Sequence, residues 1–324
     1  MKFNTLYLWA FSFLALSSCN TMSLEDDGNV VPLTVLEDIT LPSIHVNGVL
    51  LHSETYGNPT DPMLVIIHGG PGGDYQGLLN FKQLVDDGMF VVFYDQRGSG
   101  LSERIGKDGY SEVQVFIDEL GGVINYYRNT PSQKVILAGH SWGAMLATAY
   151  INQHPTEITG VILAEPGGFT WEQTEAYVTR SRALNLLSET TNDFVYQDQF
   201  ITGSDHNTLD YKMALSAAGN VHTGDPQAAP FWRFGAVCNI ASIELARNNP
   251  EQVDFTANLS AYTTKVLFAY SELNTAYGLD HATDVSSALT HVDLVKIEGC
   301  GHEIPHYGWS NFYPLIQTYL TEIL

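Results

Sequence analysis

The sequence predicts an α/β protein with a mostly parallel central sheet, flanking helices and a helical cap inserted between two sheet strands. Three observations predict it. Short runs rich in β-branched residues recur along the chain and alternate with stretches of helical spacing, the pattern of strands buried on both faces. A hairpin signal precedes the first of these runs. One region, residues 167–257, carries helical stretches and no strand run. The chain has 324 residues and is 44% apolar, enough for a large core.

The elements follow in order. Residues 1–19, "MKFNTLYLWAFSFLALSSC", have one early Lys, an apolar run too short to span a bilayer, and small residues before Cys19. They read as an export signal. The ending Leu16-Ser17-Ser18-Cys19 resembles a bacterial lipobox, which implies lipidation of Cys19 and a lipid-anchored protein of the bacterial cell envelope, periplasmic or on the outer-membrane surface. Residues 20–40 then read as a polar tether. "SIHVNGVLLHSETYG" places Asn47-Gly48 between alternating arms, a hairpin. "MLVIIHGG", "MFVVFYDQRGSG", "KVILAGHS", "GVILAEPGG", "KVLFAYSE" and "HVDLVKIEG" supply the strands, and 75–87 and 113–127 have helical spacing. Core strands and helices therefore occupy 41–166 and 258–324, with the cap at 167–257 between them. An insertion there overlies the carboxyl ends of the strands, where open α/β sheets bind ligands.

Charge and cysteine content narrow the partners. Thirty-six acidic residues against 14 basic ones give a net charge of −22, which leaves no basic face for nucleic acid. With Cys19 lipidated, Cys238 and Cys300 remain; they could pair, and they form no metal-ligand pattern. No metal or other cofactor is implied.

The chemistry concentrates at Gly139-His140-Ser141-Trp142-Gly143, a G-x-S-x-G motif between a strand run and the helical "AMLATAYINQH". A strand that turns directly into a helix strains the backbone at its central residue, and side chains at the flanking glycines would collide. Ser141 is thus the candidate nucleophile. Acyl transfer also needs donors aimed at the developing oxyanion. The backbone N–H of Trp142 is one candidate; Gly70 is the other, with Gly69 next, in the glycine turn after "MLVII". His302, in "EGCGHEIPH" between the last strand run and the final helix, is the candidate base, with His306 its rival. His140 reads as a packed or capping residue, and His68 as a support for the glycine turn.

"HGGPGG" at 68–73, "DQRGSG" at 95–100 and "GHSWG" at 139–143 stand in an order that resembles the proline iminopeptidase group of α/β-hydrolase fold serine hydrolases. The resemblance spans roughly residues 43–324. It implies the α/β-hydrolase fold, the base at His302, and a bracing role for "DQRGSG" in which neither Asp95 nor Arg97 is catalytic. Its substrate would be a small molecule or short peptide. The group usually carries an aspartate shortly after the strand represented by "KVLFAY", and this chain has Asn274 at that place. An amide orients a histidine but does not stabilise the imidazolium. The favoured acid is Glu165, which closes "GVILAE" before Pro166, because a buried glutamate there is costly unless paired. Glu272 and Asn274 are the alternatives. The resemblance also implies a cap carboxylate for a substrate amine, but Phe234-Gly235 occupy the corresponding place; Glu172, Glu175, Glu189 or Glu244 would have to substitute. Trp171, Tyr177, Phe231, Trp232 and Phe234 could line an acyl pocket. Carboxylesterase or lactonase activity, or a silent ligand-binding lipoprotein, are the competing readings.

Overall fold

A computed structural model describes residues 28–184, 205–219 and 224–324. Residues 1–19, read above as an export signal ending at Cys19, and Glu189 lie outside them. Eight strands form one sheet: β1 (Ser43–Val46), β2 (Val49–Tyr56), β3 (Met63–Ile67), β4 (Phe90–Tyr94), β5 (Val135–His140), β6 (Gly160–Ala164), β7 (Val266–Ser271) and β8 (Val292–Ile297). Their order is β1-β2-β4-β3-β5-β6-β7-β8. The β1–β2 hairpin and the β2–β4 pair are antiparallel, and every other pair is parallel. After β3 the chain steps to β4 on one side and then to β5 on the other. That reversal is a topological switch point, and open α/β sheets bind ligands outside the carboxyl ends of the strands at such points.

Strand periodicity sorts the core. Met63, Val65 and Ile67 enter one apolar cluster and Leu64 and Ile66 the other, on opposite faces of the sheet. Helix α1 (Gln114–Tyr127) and the elbow helix α2 (Trp142–Gln153) bury residues in the first cluster. The second is closed by 3₁₀ turns over Gln76–Asp87 and by the last helices, α7 (Ile304–Tyr307) and α8 (Trp309–Ile323). Between β6 and β7 come α3 (Trp171–Leu184), α4 (His206–Gly219) and α5 (Ala236–Asn248); α6 (Gly278–Ser286) follows β7. Cys238 and Cys300 are both free thiols; they are buried in different clusters, which explains why they do not pair.

Of the stretch read as a tether, residues 20–40, the part from Val31 on packs against the rest of the chain. Val31 and Val35 are buried, Val35 N–H donates to Leu101 O at 2.8 Å, and Pro32 O accepts from Arg233 Nη1 at 2.7 Å. The polar run lies at 20–29, and the tether reading carried it over 31–40, a stretch that includes Val31, Leu33 and Val35 and whose contacts come from residues far along the chain. They belong to a buried charge cluster centred on Asp210 of α4, which is 0% exposed. Asp210 accepts from Arg104 Nε at 2.7 Å, Arg233 Nε at 2.8 Å and Ala236 N–H at 2.9 Å. Arg104 also donates to Gly100 O and Ser102 O, and Arg233 to the Asn207 side chain. One carboxylate thus fastens helix α4, the loop after β4 and the start of α5. Its removal takes the carboxylate from Arg104 and leaves Arg233 with only the longer Glu37 contact of 3.4 Å, and breaking a buried pair in this way costs about 3–5 kcal/mol. Asp210→Ala is expected to lose stability on that scale in urea melts, with the m-value unchanged.

Candidate active site

The elbow is built by close approach. A Cβ on Gly139 would stand 2.3 Å from Gly143 O, and one on Gly143 would stand 2.0 Å from Ile67 O. Only hydrogen fits at either place, so α2 can start hard against the ends of β3 and β5. The residue between them takes the strain: Ser141 has φ 53° and ψ −121°, outside the regions open to most L-residues. Its N–H still donates to Ala164 O at 2.9 Å, which extends the β5–β6 ladder past the end of β5.

The glycine turn after β3 passes directly over this elbow. A Cβ on Gly69 would sit 3.1 Å from Ser141 Cβ, whereas one on Gly70, at φ 128°, would strike the backbone nitrogens of Gly72 and Gly73. His68 holds the turn from beneath. Its Nδ1–H donates to Gly69 O at 2.8 Å while Nε2 accepts from Gln96 N–H at 3.0 Å, so the ring is neutral with both nitrogens engaged, and burial pushes its pKa down. Gln96 also donates to His68 O at 2.9 Å and accepts from the Trp142 indole at 2.9 Å, bridging the glycine turn and the elbow helix. Its neighbours do structural work. Asp95 pairs with His52 and accepts from Tyr75 N–H and Leu101 N–H, while Arg97 pairs with buried Glu119 at 3.0 Å.

Glu165 follows β6 at the same level. Its N–H donates to Ala269 O at 2.9 Å, and a φ of 44° turns its side chain into the interior, where it is 0% exposed. Its Oε2 lies 2.7 Å from His302 Nδ1. Oε1 accepts Ser271 N–H at 2.7 Å and the Ser271 hydroxyl, and Oε2 also accepts Asn274 Nδ2 at 2.9 Å. Four donors therefore converge on the roughly four lone-pair sites that an ionised carboxylate offers. Burial pushes the Glu165 carboxyl up, and the bonds from Ser271 and Asn274 pull it back. We assign the ionised form, since a carboxyl proton would displace one of the four donors.

His302 is also buried, and both burial and the neighbouring His140 hold its pKa well below the ordinary histidine range. Its ring is the neutral Nδ1–H tautomer facing Glu165. His140, one residue before Ser141, donates through Nε2 to His302 O at 2.9 Å, and the two ring centroids are 4.7 Å apart. Ser141, His302, Glu165 and the Gly69–Gly70 turn thus share one end of the sheet.

The other sequence-derived candidates separate. Glu272 is exposed and bonded to Gly299 N–H and Lys296. The chain turns it outward because Ser271 before it and Asn274 after it both face Glu165. Asn274 is buried, but it serves the carboxylate and Tyr177 OH (3.1 Å). His306 lies in α7 against Tyr307. Glu172 and Glu175 are exposed on α3, and Glu244 pairs with Lys107. Tyr177, read as a pocket residue, stands 3.4 Å from His302 Nδ1, and Trp232 packs on His52 and Tyr75. Ser271 and Gln96 carried no signal of their own in the sequence.

Comparisons agree with this architecture. The family described as serine aminopeptidase, S33, matches residues 58–218. A proline iminopeptidase of Heyndrickxia coagulans is 32% identical over 131 residues, 40% of this chain and 44% of that one. An AB hydrolase superfamily protein of Bacillus subtilis is 30% identical over 39% of this chain and 43% of its own length, so the alignments span less than half of these two relatives. The proline iminopeptidase of Lactiplantibacillus plantarum is 27% identical over 77% of this chain and 83% of that one. Among solved structures, epoxide hydrolase A of Mycobacterium thermoresistibile superposes with a TM-score of 0.62 at 20% identity, covering 87% of this chain and 98% of that one. The protein has the α/β-hydrolase fold. Within that fold it resembles the proline iminopeptidases.

Because the Gly143 Cβ would enter backbone, Gly143→Ala is expected to cost at least about 3 kcal/mol, the upper part of the overpacking range. Thermal and urea unfolding should both register it.

Proposed function

We propose that the protein is a serine hydrolase that cleaves an ester or amide bond through an acyl-enzyme. Ser141 attacks the carbonyl carbon, and His302 Nε2 takes the hydroxyl proton. The Trp142 and Gly70 amides hold the oxyanion. His302 then returns the proton to the leaving group, and a water activated by the same imidazole releases the acid. Glu165 holds His302 in the Nδ1–H tautomer and offsets the imidazolium charge. One observation carries this reading: the 2.7 Å contact between Glu165 and His302, buried at the level of a serine held at positive φ. It supports a working acid despite Asn274.

The substrate reading has two branches. Similarity to proline iminopeptidases supports release of an amino-terminal residue from a short peptide. Phe234-Gly235 at the place of the expected amine-binding carboxylate, with the adjacent Arg233 already bonded to Asp210, supports a neutral ester or lactone instead. Prolyl arylamides with free and blocked amines, set beside short p-nitrophenyl esters, separate the branches.

A fluorophosphonate probe should label the folded protein and not Ser141→Ala. A folded protein that takes no label would leave only the ligand-binding reading. In Glu165→Gln, kcat is expected to fall by about 10⁴, the loss recorded for a comparable acid-to-amide change in a serine protease. Full turnover in that variant would remove Glu165 from the mechanism.

The base must be unprotonated to act, and the folded protein holds the His302 pKa well below its ordinary value. Activity should therefore persist on the acid side of the ordinary histidine midpoint of about 6.5. It is lost only as pH falls through the depressed value. The acid limb of kcat/KM reads that midpoint in the free enzyme.

A further inference from the structure

The loop that carries His302 is gripped from the cap. Asp225, in the segment between α4 and α5, accepts Gly301 N–H on Oδ1 at 2.8 Å and Glu303 N–H on Oδ2 at 3.0 Å. These are the two amides that flank the candidate base. Asp225 is 9% exposed, and burial pushes its carboxyl up while the Glu303 and Gly301 amides pull it back. The residue before it is fixed as well: Gly224 has φ 90°, and a Cβ there would stand 2.4 Å from the Cβ of Leu273, one residue before Asn274. Leu273 N–H in turn donates to Cys300 O at 3.0 Å. The 224–225 turn is therefore wedged between the loop that holds the carboxylate clamp and the loop that holds the imidazole.

We propose that Asp225 is a positioning residue for His302, which sets the imidazole through the two backbone amides on either side of it so that the base is in place only while this part of the cap is docked. The inference rests on the serine hydrolase reading of the site. A carboxylate with an oxygen on each amide fixes both the height and the tilt of the intervening residue. An isosteric amide offers one oxygen and one NH₂ group, so Asp225→Asn keeps at most one of the two bonds and turns a donor toward the other N–H. Asp225→Ala keeps neither. Neither change removes a hydrogen bond of Ser141, Glu165 or the glycine turn, while both remove a negative charge that acts on Glu165 and His140.

The test uses the full chain with wild type, Asp225→Asn, Asp225→Ala and Ser141→Ala. With an arylamide or p-nitrophenyl ester that the wild type hydrolyses, kcat should fall about tenfold to a hundredfold in both Asp225 variants, the scale of loss from misplacing a reacting group by about an ångström. KM should be unchanged, and fluorophosphonate labelling should slow in step with kcat. A general structural role would lower the active fraction without slowing the labelling of what remains. The His302 ring nitrogen resonances, recorded on histidine-labelled protein, should shift between wild type and Asp225→Asn. A folded Asp225→Ala with wild-type kcat and labelling rate overturns the proposal; if that variant does not fold, the same result in Asp225→Asn does so. Should the wild type neither take label nor turn over, the serine hydrolase reading fails by itself. The His302 resonances then decide: a shift in Asp225→Asn upholds the grip on the ring, and unchanged signals overturn it.

Discussion

The site depends on one buried carboxylate. An anion at the end of a core strand is among the most expensive groups a protein can bury, and it is tolerable only where its lone pairs are filled. Glu165 meets that condition with donors drawn from two parts of the chain: Ser271 at the end of β7 with Asn274 just beyond it, and the His302 ring after β8. The demand runs both ways. Because the carboxylate needs those donors, it fixes the loops that carry them, and because those loops are fixed, the imidazole has one tautomer and one orientation.

This accounts for an amide, rather than an acid, at position 274. Had Asn274 been an aspartate, two carboxylates would share the space now spanned by a 2.9 Å amide bond, and one of them would have to keep a proton. With the charge placed on β6, the neighbouring position is best filled by a donor. Asn274 is that donor, and Tyr177 completes the ring of polar groups around the pair.

Local signals in the sequence reached as far as local physics decides. The strands were legible because alternate residues feed two apolar faces, as Met63 to Ile67 do, and the elbow was legible because close approach leaves room only for glycine at 139 and 143. Glu165 was legible from cost: an acidic residue at the end of an apolar run needs a reason to be there. Glu272 was offered on proximity in sequence, and the backbone turns it outward. The contacts of Ser271, Gln96 and Asp225 were not legible, because each side chain is ordinary and its meaning comes from partners brought in by the fold. The same holds for residues 31–40, which follow the polar run of 20–29 and are held by distant partners such as Arg233, which donates to Pro32 O.

The inserted segment also touches the opposite wall of the site. Gly235 N–H donates to Gly72 O at 2.7 Å, and Asn239 Nδ2 donates to Pro71 O at 2.7 Å, so the start of α5 is laced to the glycine turn beside Ser141. A rigid swing that lifted this end of the insertion would cut those two bonds and loosen the turn above the serine. In the proposed serine hydrolase, wide access and an intact glycine turn would thus be opposed states of one body, and reactants would have to slip past its edges or wait for the turn to re-form after each opening.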